Sequence, residues 1–216
     1  MRLRAISLAA FIFCAHTSLG QTSSTDSKEL HFNGGFVGGA TLAQVHGDGI
    51  GGFNKLGVHL GVTVQIHNNE SKGLHLGVIY NSKGSRKTQN PDAGDYTTWA
   101  YRFRYIDIPV LYSTPIDIFQ IDIGLQPSVL ISAEEDMINN GFDPTIIPVK
   151  DFDFSAVLGA SMEMNEHLSF YSRLTQSIIG ITPLPDQDLP PGIWWDNRMR
   201  NMTLEFGLIA LLFPGE

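Results

Sequence analysis

Thiols and charges are what these 216 residues have least of. There is one cysteine, Cys14, and only 17% of the side chains are charged. A lone thiol excludes an internal disulfide framework and a cysteine-based zinc site. The charged fraction falls below the roughly 25% of ordinary soluble domains. Basic residues are the scarcer sign, 14 against 22 acidic for a net charge of −8. That balance argues against a nucleic-acid partner, which selects clustered Lys and Arg. Past the first twenty residues, no run approaches the ~20 apolar residues of a spanning helix. No G-x-S-x-G or comparable activated-nucleophile signature occurs, although Ser169 and Ser172 are present. What the chain does have is 22 glycines and 11 prolines, which signal many turns within one domain.

The start, MRLRAISLAAFIFCAHTSLGQ, has a basic n-region at Arg2 and Arg4, an apolar stretch from Ala5 to Ala15, and small residues Ser18 and Gly20 before Gln21. It reads as a secretory signal over residues 1–20, leaving a mature domain of 21–216. Cleavage removes Cys14 and two basic residues, so the mature chain is thiol-free and more acidic still.

From Lys55 the sequence declares which medium each side chain faces. In KLGVHLGVTVQI the even positions from Leu56 to Ile66 are apolar, and the odd ones are Lys55, Gly57, His59, Gly61, Thr63 and Gln65. After NNESK the parity resumes, with Leu74, Leu76, Val78 and Tyr80 against Gly73, His75, Gly77 and Asn81. A period of two is a strand with two unlike faces, and the pair reads as a hairpin. The polar face carries glycine, histidine, threonine and amides, with few of the lysines and glutamates that solubilise a strand. Such a face suits a crowded interior, so the expected fold is all-β: an eight-stranded antiparallel up-and-down transmembrane barrel, apolar outside and polar inside.

The remaining strands follow the same parity. A glycine-rich first strand starts near Phe32, with the loop at 44–54 after it. The fourth runs from Trp99 to Tyr112, the fifth from Phe119 to Ile131, the sixth from Phe152 to Met162, the seventh covers LSFYSRLTQS, and the eighth runs from Met199 to Phe213. One passage breaks the pattern, because Arg102 and Arg104 share the outward parity of Ile106 and Ile108. Either a β-bulge intervenes, or the strand continues beyond the bilayer and the arginines meet lipid headgroup phosphates, the preferred alternative. Connections alternate between short (67–72, 113–118, 164–167) and long (44–54, 87–98, 133–149, 180–196), as periplasmic turns and outer loops do in bacterial barrels. Both termini are then periplasmic. Tyr112 and Phe119 beside a short turn, and Trp99, Trp194 and Trp195 near long loops, fall where aromatic girdles are expected.

Taken together, the Gly-rich first strand, GDGIGGFNKLGVHLGV, YNSKGS, YIDIPVLY, GLQPSVLIS, FDFSAVLG and NMTLEFGL resemble, in order and spacing, the PorT-type outer-membrane β-barrel family of Gram-negative bacteria. The resemblance covers essentially the whole mature chain. It implies an outer-membrane barrel without an assigned activity, whose namesake takes part in protein secretion, and it implies no catalytic residues. One departure is that Pro214, Gly215 and Glu216 follow Phe213, where such barrels commonly end on an aromatic residue.

Inward parity gathers His59, His75, Asp107, Asp122, Asp153, Arg173 and Glu205, together with Lys55 and Lys83. An eight-stranded barrel is just wide enough to be filled by side chains, so these are expected to pair as a structural network rather than to line an ion path. Arg173 is the expected hub, its fork holding two carboxylates. His59 and His75 are expected to be neighbours across the hairpin, yet two histidines without a third ligand do not specify zinc. Acidic loop groups (Glu134, Glu135, Asp136; Asp186, Asp188) lack the spacing of a calcium loop and are expected to be solvated. No cofactor, metal or catalytic residue is expected. The expected partners are outer-membrane lipid and a protein met through the long loops or the periplasmic face, with the chain itself a monomer. A small channel and a soluble lipocalin-like binder are the alternatives.

Overall fold

The computed structural model describes residues 30–68, 72–137, 140–183 and 198–212. The signal, Trp194, Trp195, Asp186, Asp188 and Phe213–Glu216 lie outside them. Among the described residues ten strands form one antiparallel sheet: β1 (Leu30–His46), β2 (Lys55–Asn68), β3 (Gly73–Lys87), β4 (Trp99–Asp107), β5 (Val110–Ile116), β6 (Phe119–Asp136), β7 (Asp143–Pro144), β8 (Phe152–Asn165), β9 (Leu168–Ser177) and β10 (Arg200–Leu211). Its order runs β2-β1-β10-β9-β8-β6-β4-β3, and β2 also pairs with β3, so the sheet closes on itself.

The closed wall has eight spans. β4 and β5 are one crossing interrupted at Pro109, which has no N–H to give the ladder. Pairing continues through the interruption, since Ile108 N donates to Pro127 O (2.8 Å) and Gly77 N to Pro109 O (3.2 Å). β7 is a two-residue strand in a long loop, paired with Glu134 and Glu135 at the end of β6. Only four residues separate β2 from β3, and tight turns join β5 to β6 and β8 to β9, the first of these through Asp117 at φ 57°, a left-handed conformation that Asp tolerates. Long connections occupy the opposite end. Leu30 and Leu211 both lie at the turn end. The first long loop is shorter than expected, because Gln44–His46 continue β1 against Arg200–Met202.

Burial follows the pleat. On β2 the even positions Leu56–Val64 are exposed, while Gly57, His59 and Thr63 are buried; β8, β9 and β10 alternate in the same way. The exposed apolar residues form a belt around the outside. Along β2 it runs from Leu56 to Ile66, which at about 3.3 Å per residue and a tilt near 40° spans about 25 Å, the height of a lipid-facing band. A soluble binding barrel would have the two faces exchanged.

The broken parity at Arg102 and Arg104 is not a break in β4. From Tyr101 onward β4 keeps its alternation, with Tyr101, Phe103, Tyr105 and Asp107 buried inside and Arg102 and Arg104 outside. A bulge does intervene, but on the neighbouring strand. Arg104 pairs with Ser132 and Tyr105 with Leu130, leaving Ile131 as the extra residue of β6. Beyond it β6 turns Glu134 outward beside the arginines and Glu135 inward. The strand is continuous; it is the surroundings that reverse. Below Ile106 apolar side chains face out, and above Arg104 they face in, as in a water-soluble barrel.

Candidate functional site

Of the expected lumen residues all but Lys55 are buried, and these sort into three tiers rather than one network; Lys55 is only half-buried and its Nζ donates to Leu56 O (2.8 Å). In the middle tier Lys83 Nζ donates to Asp107 Oδ1 (2.8 Å), and Asn81 Nδ2 donates to both Asp107 Oδ2 (3.0 Å) and Glu205 Oε1 (2.7 Å). Thr41 Oγ1 donates to Asn81 Oδ1 (2.9 Å) and lies 2.9 Å from His59 Nδ1. Because that hydroxyl has spent its proton on Asn81, it accepts from His59 Nδ1–H, which leaves Nε2 to accept from the Tyr171 hydroxyl at 2.5 Å. Gly207 makes the last contact possible. A Cβ there would stand 2.9 Å from both His59 Nε2 and a Tyr171 ring carbon.

Toward the turn end, Asp122 accepts a short hydrogen bond from Ser113 Oγ and faces Arg173 Nη2 at 3.3 Å. His75 Nδ1 is 3.2 Å from Ser113 Oγ. Ser113, His75 and Asp122 are the residue types of a hydrolytic triad in another arrangement. The carboxylate takes the serine proton directly and does not brace the far side of the imidazole, and no carboxylate stands behind the histidine among the described residues. A polar cavity of about 250 Å³ opens beside them at the turn end, lined by Asn33, Gln65, His67, His75, Gln120 and Glu163 among others.

Toward the loop end, Asp153 Oδ2 accepts from Ser177 Oγ (2.8 Å) and Asn201 Nδ2 (3.0 Å). Above it sits an apolar stopper of Val45, Tyr101, Phe103, Tyr105, Ile181 and Met199, covered by loop residues Ile147 and Val149. Trp99 packs on Tyr101 at 5.5 Å and belongs to this stopper, not to a lipid girdle. Tyr112 and Phe119 do lie exposed beside the turn, as expected.

Two expectations about these residues need correction. Arg173 is not a two-carboxylate hub. Its head lies over the Tyr171 ring (4.5 Å) and reaches Asp122, whereas Glu205, its partner across the strands, is taken by Asn81. The residue that joins two carboxylates is Asn81. Nor are His59 and His75 neighbours: His59 pairs with Asn81 and His75 with Gln65, six residues apart along the strand, or about 20 Å. Among the described residues no three His, Cys, Asp or Glu side chains converge where a metal ion could sit.

Outside the wall, Arg104 Nη1 is 2.5 Å and Arg102 Nη1 3.4 Å from Glu134, and Arg102 stacks on Phe142 at 3.5 Å. The acidic run divides between the two faces. Glu135 turns inward to accept from Thr145 Oγ1 (3.0 Å) and Ile146 N (3.1 Å), and Asp136 accepts from Asn140 N (3.1 Å).

The family model described as an outer membrane protein beta-barrel domain matches residues 20–182. The chain belongs to that family. Among solved structures, this outer-membrane barrel is similar to the attachment invasion locus protein Ail of Yersinia pestis, crystallised with the heparin analogue sucrose octasulfate, at 10% identity and a TM-score of 0.49 over 84% of this chain and 99% of that one. Neisserial surface protein A is similar at 10% identity and a TM-score of 0.49, over 84% and 98% of the two chains. No curated protein sequence matches the chain. The outer-membrane setting agrees with the apolar belt. It also accounts for the polar tiers within the barrel, where each buried polar group needs a partner inside the wall.

Proposed function

We propose that this chain is a non-enzymatic, monomeric barrel with a lumen closed by its own side chains, acting as a structural element or through contact with a protein partner at its loop end. Residues 1–20 are the export signal in this reading, the turns and both termini face the periplasm, and Arg102 and Arg104 lie at headgroup level. The likeness to PorT-type barrels supports a link to protein secretion. The observation that carries the reading is the inverted segment of β4 and β6. A small outer-membrane barrel that extends its strands past the lipid and fills them with Tyr101, Phe103, Tyr105, Ile181 and Met199 builds a rigid platform there, not an opening.

The test is photo-crosslinking in intact cells from position 146, where Ile146 is 82% exposed on the 137–151 loop. A discrete protein adduct is expected from Ile146, and none from Ile123 within the belt. Adducts of equal yield from both positions would remove the loop end from the proposed role.

A further inference from the structure

Where the inverted segment meets the apolar belt, a cavity of about 220 Å³ is lined by Asn54, Lys55, Leu56, Arg86, Ala100, Arg102, Asp136 and Phe142. Three cations and one carboxylate share it. β2 contributes Lys55, its first residue; β3 contributes Arg86; and β4 contributes Arg102, directly opposite Gly84. Gly84 sits at φ 136° and has no side chain to cover the guanidinium. Lys55 Nζ donates to Leu56 O (2.8 Å), and three like charges face one opening. Such a cluster repels itself until an anion arrives. Glu134 offsets Arg102 and Arg104 only, and Asp136 is engaged with Asn140 N, whereas Arg86 is exposed and meets no carboxylate among the described residues. The floor of the cavity is Leu56, the first residue of the lipid-facing band.

We propose that this cavity binds a phosphate monoester carried on a membrane lipid, with Lys55, Arg86 and Arg102 holding the phosphate and Leu56 guiding the first carbons of the chain. Guanidinium groups match phosphate oxygens two at a time, and a monoester's second negative charge answers the surplus of two cations. A diester offers one charge and one fewer free oxygen. The position at the edge of the belt favours a phosphate anchored in lipid over one free in water. The inference rests on the membrane reading above and adds a ligand class to it.

The full mature chain, refolded in phosphatidylcholine micelles and checked for heat-modifiable migration, would be offered phosphatidic acid, phosphatidylglycerol or inorganic phosphate, and bound species counted by native mass spectrometry. Phosphatidic acid should be retained over phosphatidylglycerol. Arg86→Gln and Lys55→Gln should each weaken its retention by about fivefold. Lys72→Gln, which removes the same charge at the turn end, should leave it unchanged. Equal retention of both lipids, or undiminished retention by both cavity variants, overturns the site. Inorganic phosphate bound as tightly as phosphatidic acid overturns the lipid assignment. A wild-type chain that does not fold in micelles overturns the membrane reading and this inference with it, an outcome seen before any ligand is added.

Discussion

Lys83 and Asp107 face each other from adjacent strands at 2.8 Å, each 1% exposed, in the middle of the barrel. Removing one partner of such a pair leaves a buried charge uncompensated, which costs about 3 to 5 kcal/mol. Lys83→Met is therefore expected to destabilise the inserted barrel by about that amount, even though Asn81 still donates to Asp107. Lys83→Met combined with Asp107→Asn should regain most of the loss. Urea unfolding in lipid vesicles measures both; a cost below about 1 kcal/mol for the single variant would mean that water reaches the pair.

Phe103 and Arg104 are adjacent and face opposite sides of β4 above the lipid band. Phe103 is fully enclosed in the apolar stopper, so Phe103→Ala should cost about 3 to 5 kcal/mol. Arg104 is partly exposed and paired with Glu134, so Arg104→Ala should cost about 1 kcal/mol or less. Fluorescence of Trp99, which packs against the stopper, can follow unfolding in each. If Arg104→Ala proved the costlier, the reversal of faces along β4 would be wrong.

That reversal also marks the limit of what the sequence shows. Alternation identifies which residues share a face, and it placed His59, Thr63, Asp122, Arg173 and Glu205 on the buried side of their strands. Alternation does not say which medium lies beyond a face. On β2 lipid covers the apolar side for the whole stretch from Leu56 to Ile66. On β4 the surroundings change near Arg104, so an uninterrupted strand looks like a break. Pairing is equally hidden. The distance between His59 and His75 is set by where the turn falls, and NNESK admits more than one register. Arg173 has Glu205 directly across the strands, yet the Tyr171 ring directs its head to Asp122 and Asn81 reaches Glu205 first. Side-chain length and direction decide such contacts, and neither can be read from spacing.

Within the belt, Val62 is 50% and Thr63 8% exposed. An arginine on the lipid face near the bilayer midplane costs about 2 to 4 kcal/mol, falling toward zero at the interfaces. Val62→Arg is expected in the upper part of that range, because Val62 lies midway along the exposed run of β2. Thr63→Ser keeps the hydroxyl that donates to Leu76 O at 2.9 Å and should cost much less. Equal losses in vesicle unfolding would contradict the assignment of faces.

Eight spans enclose a space that side chains can fill, unlike the roughly 16 to 18 strands of a porin. Here they do fill it: Tyr171 and Lys83 lie fully buried at mid-height, Tyr101, Phe103 and Tyr105 above them, and Arg173 over Asp122 below. An ion moving through would have to part the Lys83–Asp107 pair and then cross the apolar stopper, where nothing replaces its hydration. Purified protein in planar bilayers should therefore show no steady conductance. Cutting into the polar tier with Arg173→Ala should loosen the barrel, by freeing Asp122 and uncovering Tyr171, before it opens a path, because the stopper is untouched. Joint removal of Phe103 and Tyr105 to alanine should be needed before current flows. Wild-type channels of uniform size would refute the closed lumen, and an Arg173→Ala variant as heat-resistant as the parent would show that the Asp122 contact adds nothing to it.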